Sequence, residues 1–380
     1  MKPLAGVKVL ELARILAGPW IGQVLSDLGA TVIKVESPAG DDTRGWGPPF
    51  IDRGEDDPSA AYFYTCNRGK KSIVVDFTTA EGQAEVRKLA ADADVLVENF
   101  KVGGLEKYGL DFASLHALNP GLIYCSITGF GQDGPYSSRA GYDYLVQGMA
   151  GLMSITGEKG GQPYKVGVAV TDIVAGLYGV VGIQAALAQR LQTGLGQQID
   201  ISLFDSATAL LANQAMNFLA TGTAPTRLGN DHPNIVPYQV FDVADGQVII
   251  AAGNDGQFAR LCTVLALDHL PADARYTRNR DRVANREVLV PILAEVLKSW
   301  TRGDLLAALE GAVVPSAPIN SVAEVFADPQ IQHRGMAITP HGIPGVRSPL
   351  TLSASELALD ETAPQLDEHG AAIRARGWAV

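Results

Sequence analysis

A single acidic residue opens the longest apolar stretch of the chain. Asp172 follows Thr171 and precedes the uncharged run 173–187. A carboxylate is costly to bury without compensation, so its position needs an explanation. It could cap the N-terminus of a helix by accepting a hydrogen bond from a backbone N–H, or it could attack an activated acyl group as a nucleophile. The two roles are compatible, because a helix N-terminus is expected to keep the carboxylate ionised.

Three arginines lie in loops where they could bind an anionic substrate: Arg14, Arg44 and Arg68. A guanidinium binds a carboxylate through two parallel hydrogen bonds, which suits the distal carboxylate of a short dicarboxylic acid. Solvated surface arginines would show the same pattern, so both interpretations stay open for each residue. The loop 41–50, which contains Arg44, is rich in turn-forming residues and is either a surface excursion or a substrate lid.

Alternating strands and helices are predicted to position these groups. Residues 7–12 and 31–36 form two parallel strands around a helix that begins near Pro19 and ends before Gly29. Further strands follow at 72–77, 94–98, 122–126 and 198–203, and helical segments are predicted before the last three of them. The pattern predicts an α/β fold with a Rossmann-like, doubly wound parallel sheet, in which ligands bind at the carboxyl ends of the strands.

The composition changes after residue 220 and divides the chain into two domains. Linkers are predicted at about 221–237, where glycine, proline and asparagine are frequent, and at about 320–335. Residues 226–327, with a hairpin at Asp245-Gly246, form a smaller α+β domain. Residues 1–220 together with 330–380 form the large domain.

The composition also excludes several classes of function. The net charge of −11, without a basic patch, argues against a nucleic-acid partner. The three cysteines have no CxxC spacing, so neither a disulfide framework nor a metal site is expected. The N-terminus does not read as a signal peptide, and glycines interrupt the apolar run after Asp172, which predicts a buried helix and no membrane span. We expect a cytoplasmic protein.

Motifs along nearly the whole chain resemble those of family III CoA-transferases, the group that includes formyl-CoA transferase and the carnitine and bile-acid CoA-transferases. Each motif is weak alone, but their order is specific. The matching segments are 14–19, 28–36, 67–73, 97–100, 139–143, 171–172, 253–255 and 317–320.

The resemblance implies that Asp172 is the nucleophile and that CoA binds along the first sheet. Formyl-CoA transferase has an arginine where this chain has Ser37, and a lysine where it has Ala140, so Arg139 and Lys107 are expected to replace those phosphate contacts. The CoA-binding positions carried over from the family are Leu16, Ala17, Val75, Thr78, Asn99, Phe100, Lys107, Ala140, Tyr142 and Asp143, to which Arg139 is added as a substitute.

The resemblance also implies a reaction and an assembly. Segments 40–50 and 232–239 are similar to family members that exchange CoA between succinate and glutarate, so succinyl-CoA and a short dicarboxylic acid are the expected substrates. CoA is a substrate, and no permanently bound cofactor is expected. Backbone N–H groups near Gly253 and Asn254 could stabilise the oxyanions. Family members form interlocked, ring-shaped homodimers.

Three alternatives remain open at this point. The first is an α-methylacyl-CoA racemase, from the same superfamily, which has histidine in an Ala-Gly-His-Asp motif where this chain has Tyr142. It is disfavoured because a phenol with an ordinary pKa is a poor base at neutral pH. A nicotinamide-dependent oxidoreductase is disfavoured because no GxGxxG fingerprint follows the first strand. A CoA-binding protein without catalytic activity is disfavoured by the presence of Asp172.

Overall fold

The computed structural model describes residues 1–53 and 59–380, which form two compact units. The larger unit comprises residues 1–153, 165–223 and 329–380. The smaller unit comprises residues 154–164 and 224–328. The segment 154–164, which the sequence division left in the large domain, thus belongs to the smaller unit. Its hydrogen bonds explain this: Arg227 donates to the carbonyls of Ser154 and Gly161.

The described strands are β1 (Lys8–Glu11), β2 (Thr31–Glu36), β3 (Phe50–Ile51), β4 (Ser59–Ala60), β5 (Lys71–Val74), β6 (Val95–Glu98), β7 (Ile123–Thr128), β8 (Gln198–Ser202), β9 (Tyr238–Val243), β10 (Gly246–Ala251), β11 (Ser316–Pro318), β12 (Ala337–Ile338) and β13 (Gly345–Val346). The described helices are α1 (Ala17–Asp27), α2 (Ala61–Tyr64), α3 (Ala80–Ala91), α4 (Phe112–Leu118), α5 (Asp143–Met149), α6 (Leu152–Ile155), α7 (Val170–Thr193), α8 (Leu203–Leu210), α9 (Ala212–Thr221), α10 (Asp255–Val264), α11 (Asn279–Ala284), α12 (Arg286–Leu297), α13 (Arg302–Gly311), α14 (Val322–Ala327), α15 (Pro329–His333) and α16 (Gly370–Arg376).

The larger unit is built on a six-stranded, fully parallel sheet with the order β5-β2-β1-β6-β7-β8. The chain winds outward from β1 in one direction and from β6 in the other. The predicted mixed α/β fold with a parallel sheet is therefore confirmed. In this topology, the crevice between the carboxyl ends of β1 and β6 is the expected ligand site.

Apolar layers cover both faces of this sheet. In β1, Val9 contributes to the core beneath α1 and α7, and Leu10 contributes to the core beneath α3, α4 and α16. Parallel strands buried on both sides are expected to be apolar at most positions, and β6 shows this, with Glu98 only at its carboxyl end. The C-terminal tail joins the same unit, since Arg374 donates to the carbonyl of Val74 in β5.

Helix α7 is long and apolar enough to cross a membrane by length and composition alone. It packs against α1, β7 and β8, and this packing is so close that a Cβ on Gly176 would lie 2.9 Å from the carbonyl oxygen of Ala17. A core helix meets the same length and composition criteria as a membrane span. We interpret α7 as a helix that packs one side into the larger unit. The buried helix that the sequence predicted is thus found on that side only, because Leu177, Tyr178 and Val181 are exposed.

One predicted helix is divided in the structure. The sequence suggested a single helix from about 204 to 219, but α8 ends at Leu210 and α9 starts at Ala212, whose φ is +44°. Right-handed helices require negative φ, so the positive value interrupts the helix at that residue. The smaller unit contains the antiparallel sheet β11-β10-β9, and its apolar core includes side chains of α10, α12 and α13.

Candidate active site

A cavity of about 450 Å³ opens in the larger unit at the crevice that the sheet topology marks. It is lined by the loops that follow β1, β6 and β7 and by the start of α7. Ten of the sequence-predicted site residues line it: Arg14, Leu16, Ala17, Asn99, Phe100, Arg139, Ala140, Tyr142, Asp143 and Asp172. The structure thus brings together Asp172 and most of the positions implied to bind CoA.

Asp172 lies in the first turn of α7 without capping it. The helix begins at Val170, so Asp172 is its third residue, and the N-cap position belongs to Ala169, which makes no side-chain capping bond. The expectation that Asp172 is an N-cap is therefore wrong by three residues. Its half-buried carboxyl lines the cavity and makes no capping hydrogen bond to its own helix.

The environment of Asp172 disfavours its ionised form. Burial, and then the negative charge of Asp143, raise the pKa of Asp172 to about 7. We had expected the helix terminus to keep this carboxylate fully charged. At neutral pH it is instead divided between its ionised and protonated forms. Perturbed pKa values of this kind cluster at functional sites.

Asp143 contacts the chain immediately before Asp172. Its Oδ1 accepts hydrogen bonds from the backbone N–H of Thr171 at 2.9 Å and from the Thr171 hydroxyl at 2.6 Å. Its Oδ2 accepts a hydrogen bond from the amide of Gln147 at 2.7 Å. Both oxygens of this predicted CoA-binding residue are therefore engaged by the protein.

The loop after β1 is fixed by two side chains. The amide of Asn99 accepts from the backbone N–H of Arg14 at 2.9 Å and donates to the Arg14 carbonyl at 2.7 Å. Asp41 accepts from the N–H of Ile15, which has the unusual φ of +72°. Although burial opposes ionisation, the Lys34 ammonium and local hydrogen bonds hold the pKa of Asp41 at about 2. The loop therefore presents Leu16 and the N-terminus of α1 to the cavity in a defined geometry.

A row of aromatic and cationic groups leads away from the cavity. The Arg14 guanidinium lies 5.5 Å from the ring centroid of Phe100, which packs edge-on against Phe77 at 5.7 Å. Phe77 packs in the same manner against Tyr108, and the Lys107 ammonium lies 4.7 Å from the Tyr108 ring. A second cavity of about 90 Å³ adjoins Phe77 and Phe100.

Three predicted CoA-binding residues do not line the main cavity. Lys107 is exposed at the far end of the aromatic row. The hydroxyl of exposed Thr78 donates to Asp76 just beyond β5. Val75 is buried in the core on one face of the sheet, so only its backbone is available to a ligand.

Two of the three candidate substrate arginines have structural partners instead. Arg44 donates to Glu36 through Nε and Nη2, both at 2.8 Å, and is buried. Arg68 forms an equivalent buried pair with Asp27, at 3.1 and 2.7 Å. Neither residue lines the cavity, so the substrate role considered for Arg44 and Arg68 is not supported. Arg14 is half exposed and does line the cavity.

Two glycines make the cavity wall possible. Gly129 follows β7 and Gly141 precedes α5, and their backbones touch. A Cβ on Gly129 would lie 2.5 Å from the Cα of Gly141, and a Cβ on Gly141 would lie 2.2 Å from the Cα of Gly129. Real Cβ atoms do not approach that closely, so any side chain at either position would separate the two loops.

Several residues of the site were not predicted from the sequence. Lys101 and Asp42 line the cavity, and Asp42 pairs with Arg14 at 3.3 Å. Tyr62 lies close enough that the charge of Asp172, after burial, helps to raise the pKa of its phenol to about 12. The Tyr62 ring packs on Trp46 with centroids 5.3 Å apart. The only sequence feature that pointed to any of these residues was the loop 41–50, which was interpreted as either a surface excursion or a substrate lid.

Gly253 and Asn254 lie in the smaller unit, at the start of α10. Asn254 is the N-cap and accepts from the N–H of Gln257 at 2.9 Å, and the Gln257 side chain accepts from the N–H of Gly253 at 2.8 Å. The Gly253 N–H considered as an oxyanion donor thus already has a partner within its loop. Among the described residues, no group of three or more His, Cys, Asp or Glu could hold a metal ion.

Comparison with known proteins gives a consistent result. The CoA-transferase family III model matches residues 4–370. The chain is 56% identical to a succinate–glutarate CoA-transferase of Agrobacterium fabrum, over 98% of this chain and 95% of that protein. It is 46% identical to succinyl-CoA:glutarate CoA-transferase of Mus musculus, over 89% of this chain and 77% of that protein.

Solved structures agree. A CAIB/BAIF family protein from Brucella suis superposes with a TM-score of 0.89 at 61% identity, covering 98% of this chain and 99% of that one. A Mycobacterium tuberculosis protein superposes with a TM-score of 0.87 at 31% identity, covering 97% and 98%. The resemblance drawn from the motifs is confirmed: this chain belongs to CoA-transferase family III and is a CoA-transferase.

Proposed function

We propose that this enzyme transfers CoA from succinyl-CoA to a free short dicarboxylate such as glutarate, with Asp172 as the nucleophile. The observation that carries the proposal is the half-buried carboxyl of Asp172, with its raised pKa, in the wall of a cavity that Arg14 and Arg139 also line. The names of the similar proteins from Agrobacterium and mouse support the choice of substrates.

The reaction proceeds through two covalent forms of Asp172. Its carboxylate oxygen attacks the thioester carbonyl of succinyl-CoA, the C–S bond breaks, and CoA thiolate leaves behind a succinyl–aspartyl anhydride. The thiolate then attacks the aspartyl carbonyl, succinate leaves with the anhydride oxygen, and an aspartyl-CoA thioester remains. The acceptor carboxylate repeats the two steps in reverse. Bonds of similar energy are exchanged throughout.

The pKa of Asp172 suits this role. A carboxylate whose pKa is near 7 is a stronger nucleophile than an ordinary one, yet a large fraction of it is ionised at neutral pH. The partial burial that raises this pKa also strengthens electrostatic interactions with the developing oxyanions. A phenol at Tyr142 replaces the histidine that the racemase reaction would use, and no observation in the structure favours that reaction.

CoA is proposed to lie along the loops after β1 and β6. The N-terminus of α1, which no side chain caps, is suited to an anionic group of CoA next to Leu16 and Ala17. The rings of Phe77 and Phe100 offer a surface for the adenine, and exposed Lys107 could then reach a phosphate. Asn99 contributes indirectly by holding Arg14.

The distal carboxylate of the substrate is assigned to Arg14 and Arg139. The ion pair between Arg14 and Asp42 joins two half-exposed side chains, and such pairs contribute little, so the guanidinium can exchange partners. Arg139 stacks over Tyr136 at 3.9 Å, which orients its guanidinium without neutralising it.

The enzyme is further proposed to act as a cytoplasmic homodimer. Free, buried cysteines suit a reducing compartment. Large apolar side chains are exposed on α5, α7 and α9, and such surfaces mark protein interfaces. The exposed residues include Tyr144, Leu145, Leu177, Tyr178, Val181, Met216 and Leu219. The interlocked arrangement remains an inference from the family.

The test is a transfer assay. The protein is incubated with succinyl-CoA and, separately, glutarate, mesaconate, oxalate, carnitine and benzoate, and new CoA esters are identified by mass spectrometry. We expect glutaryl-CoA to form fastest, and Asp172→Ala to abolish its formation. The exposed Asp360→Ala is the matched control and should keep full activity. Turnover by the Asp172 variant would overturn the nucleophile assignment, and epimerisation of a 2-methylacyl-CoA without an acceptor would replace the proposal.

A further inference from the structure

The segment before Asp172 is held by a polar cluster of Gln147, Asp143 and Thr171, whose hydrogen bonds are made within the protein. Gln147 is fully buried in α5. Its carbonyl oxygen accepts from the backbone N–H of Val166 at 2.9 Å, and its amide donates to Asp143 at 2.7 Å. Asp143 in turn receives both hydrogen bonds from Thr171, which is also fully buried. The cluster ties residues 166–171 to α5.

The N-terminus of α7 has no cap of its own. Ala169 at the N-cap position provides no side-chain oxygen, and Asp172 makes no capping bond. Asp143 supplies the missing acceptor from another helix, since it receives the N–H of Thr171 in the first turn. A cap of this kind sets both the position and the rotation of the first turn.

We propose that Asp143 is the positioning residue for the reacting carboxylate: it holds the first turn of α7 through Thr171, and Gln147 in turn holds Asp143. The rotation of that turn decides whether the side chain of Asp172 faces the cavity. Displacements of the reacting group by about 1 Å lower rates strongly, so a rigid anchor one residue away is of direct use. The inference rests on the proposed role of Asp172 as nucleophile.

Asp143 also affects the charge state of Asp172. Titratable groups on the elements packed against α7 are few, and of these only Asp143 contributes to the raised pKa of Asp172. The others are Tyr144 on α5, Asp27 on α1, Tyr124 and Cys125 on β7, Asp200 on β8 and Asp205 on α8. Tyr62 responds to the charge of Asp172, and Arg14, Lys101 and Arg139 line the same cavity. Removing the charge at residue 143 should therefore lower the pKa of Asp172.

The variants Asp143→Ala and Asp143→Asn separate positioning from CoA binding. Asp143→Ala should lower kcat at least about tenfold while the KM for succinyl-CoA stays within about threefold, because only the transition-state geometry is lost. Asp143→Asn keeps an acceptor for Thr171 and should retain more of kcat. It should also move the acid limb of the kcat/KM profile toward lower pH, because the negative charge that raises the pKa of Asp172 is removed. An unchanged kcat with a raised KM would mean that Asp143 contacts CoA, and would overturn the inference.

A second pair of variants keeps the test valid if Asp143→Ala fails to fold. Thr171→Val preserves the size of the side chain and removes one hydrogen bond to Asp143, whereas Thr171→Ser preserves both donors. We expect kcat to fall in the first and to be largely retained in the second. If both Thr171 variants had the same kcat as the unmodified enzyme, the positioning role of Asp143 would be refuted. The activity of Asp172→Asn is measured first, and if this variant catalyses the transfer, the proposed function is wrong. If Asp172→Asn is inactive but Thr171→Val is fully active, only the positioning role is refuted.

Discussion

The raised pKa of Asp172 predicts a pH dependence that an ordinary aspartate would not produce. The attack requires the ionised carboxylate. With a pKa of about 7, roughly a tenth of the enzyme is competent at pH 6 and roughly nine tenths at pH 8. The value of kcat/KM should therefore fall about tenfold for each pH unit below 7. An unperturbed aspartate, with a pKa near 3.8, would leave the rate flat over this range.

The assay is the initial rate of glutaryl-CoA formation from succinyl-CoA and glutarate, between pH 5.5 and 8.5 at constant ionic strength. The quantity to plot is kcat/KM, because it reports ionisations of the free enzyme. A phosphate group with a second pKa near 6 also titrates in this range, so the profile is repeated with 3′-dephospho-succinyl-CoA. If kcat/KM falls at the same pH with both substrates, the ionisation responsible is that of an enzyme group. A flat profile down to pH 5.5 would refute the electrostatic reasoning.

Further predictions concern stability and packing. Because burial raises the folded-state pKa of Asp172 above 3.8, the protein loses stability as pH rises through the interval from about 4 to 7. In thermal denaturation, Asp172→Asn should therefore melt at a higher temperature than the unmodified protein, which corresponds to about 2–4 kcal/mol of added free energy of unfolding at pH 8 and to less at pH 5. Arg68→Ala leaves Asp27 buried and unpaired and should lower the free energy of unfolding in urea by about 3–5 kcal/mol. Arg14→Ala should change the free energy of unfolding by no more than about 0.5 kcal/mol but should raise the KM for succinyl-CoA, and the reverse pattern would contradict our assignment of the arginines. Gly129→Ala should separate two cavity loops and reduce kcat/KM by more than about tenfold, and an unaltered value would show that the contact is dispensable.

The sheet could be predicted from the sequence because its signals are local. Strand segments such as 31–36 and 94–98 are apolar at most positions and alternate with helical segments, so their parallel direction follows from chain connectivity. The predicted fold also indicates that ligands bind at the carboxyl ends of the strands, whereas the strand order that places the cavity between β1 and β6 comes from the structure. Asp172 is identifiable because a lone charge precedes a long apolar run.

Partners distant in sequence were not predictable. Arg44 and Arg68 lie in polar loops, but their charges are cancelled by Glu36 and Asp27, which face them only after the sheet forms. The true start of α7 was also missed, because its cap comes from Asp143, 28 residues earlier. A capping search that looks only at neighbouring residues assigns that role to Asp172.

The central claim is that Asp172 carries CoA as a covalent thioester during turnover. The direct measurement is borohydride reduction of the enzyme mixed with succinyl-CoA, followed by peptide mass spectrometry. We predict that the peptide containing Asp172 loses one oxygen and gains two hydrogens, since reduction of an aspartyl thioester leaves an alcohol. The mass of the peptide that contains Asp360 should not change. The mass of the Asp172 peptide should not change when the enzyme is treated with succinate instead of succinyl-CoA. An unmodified Asp172 peptide under conditions of active turnover, or reduction at another carboxylate, would contradict the account.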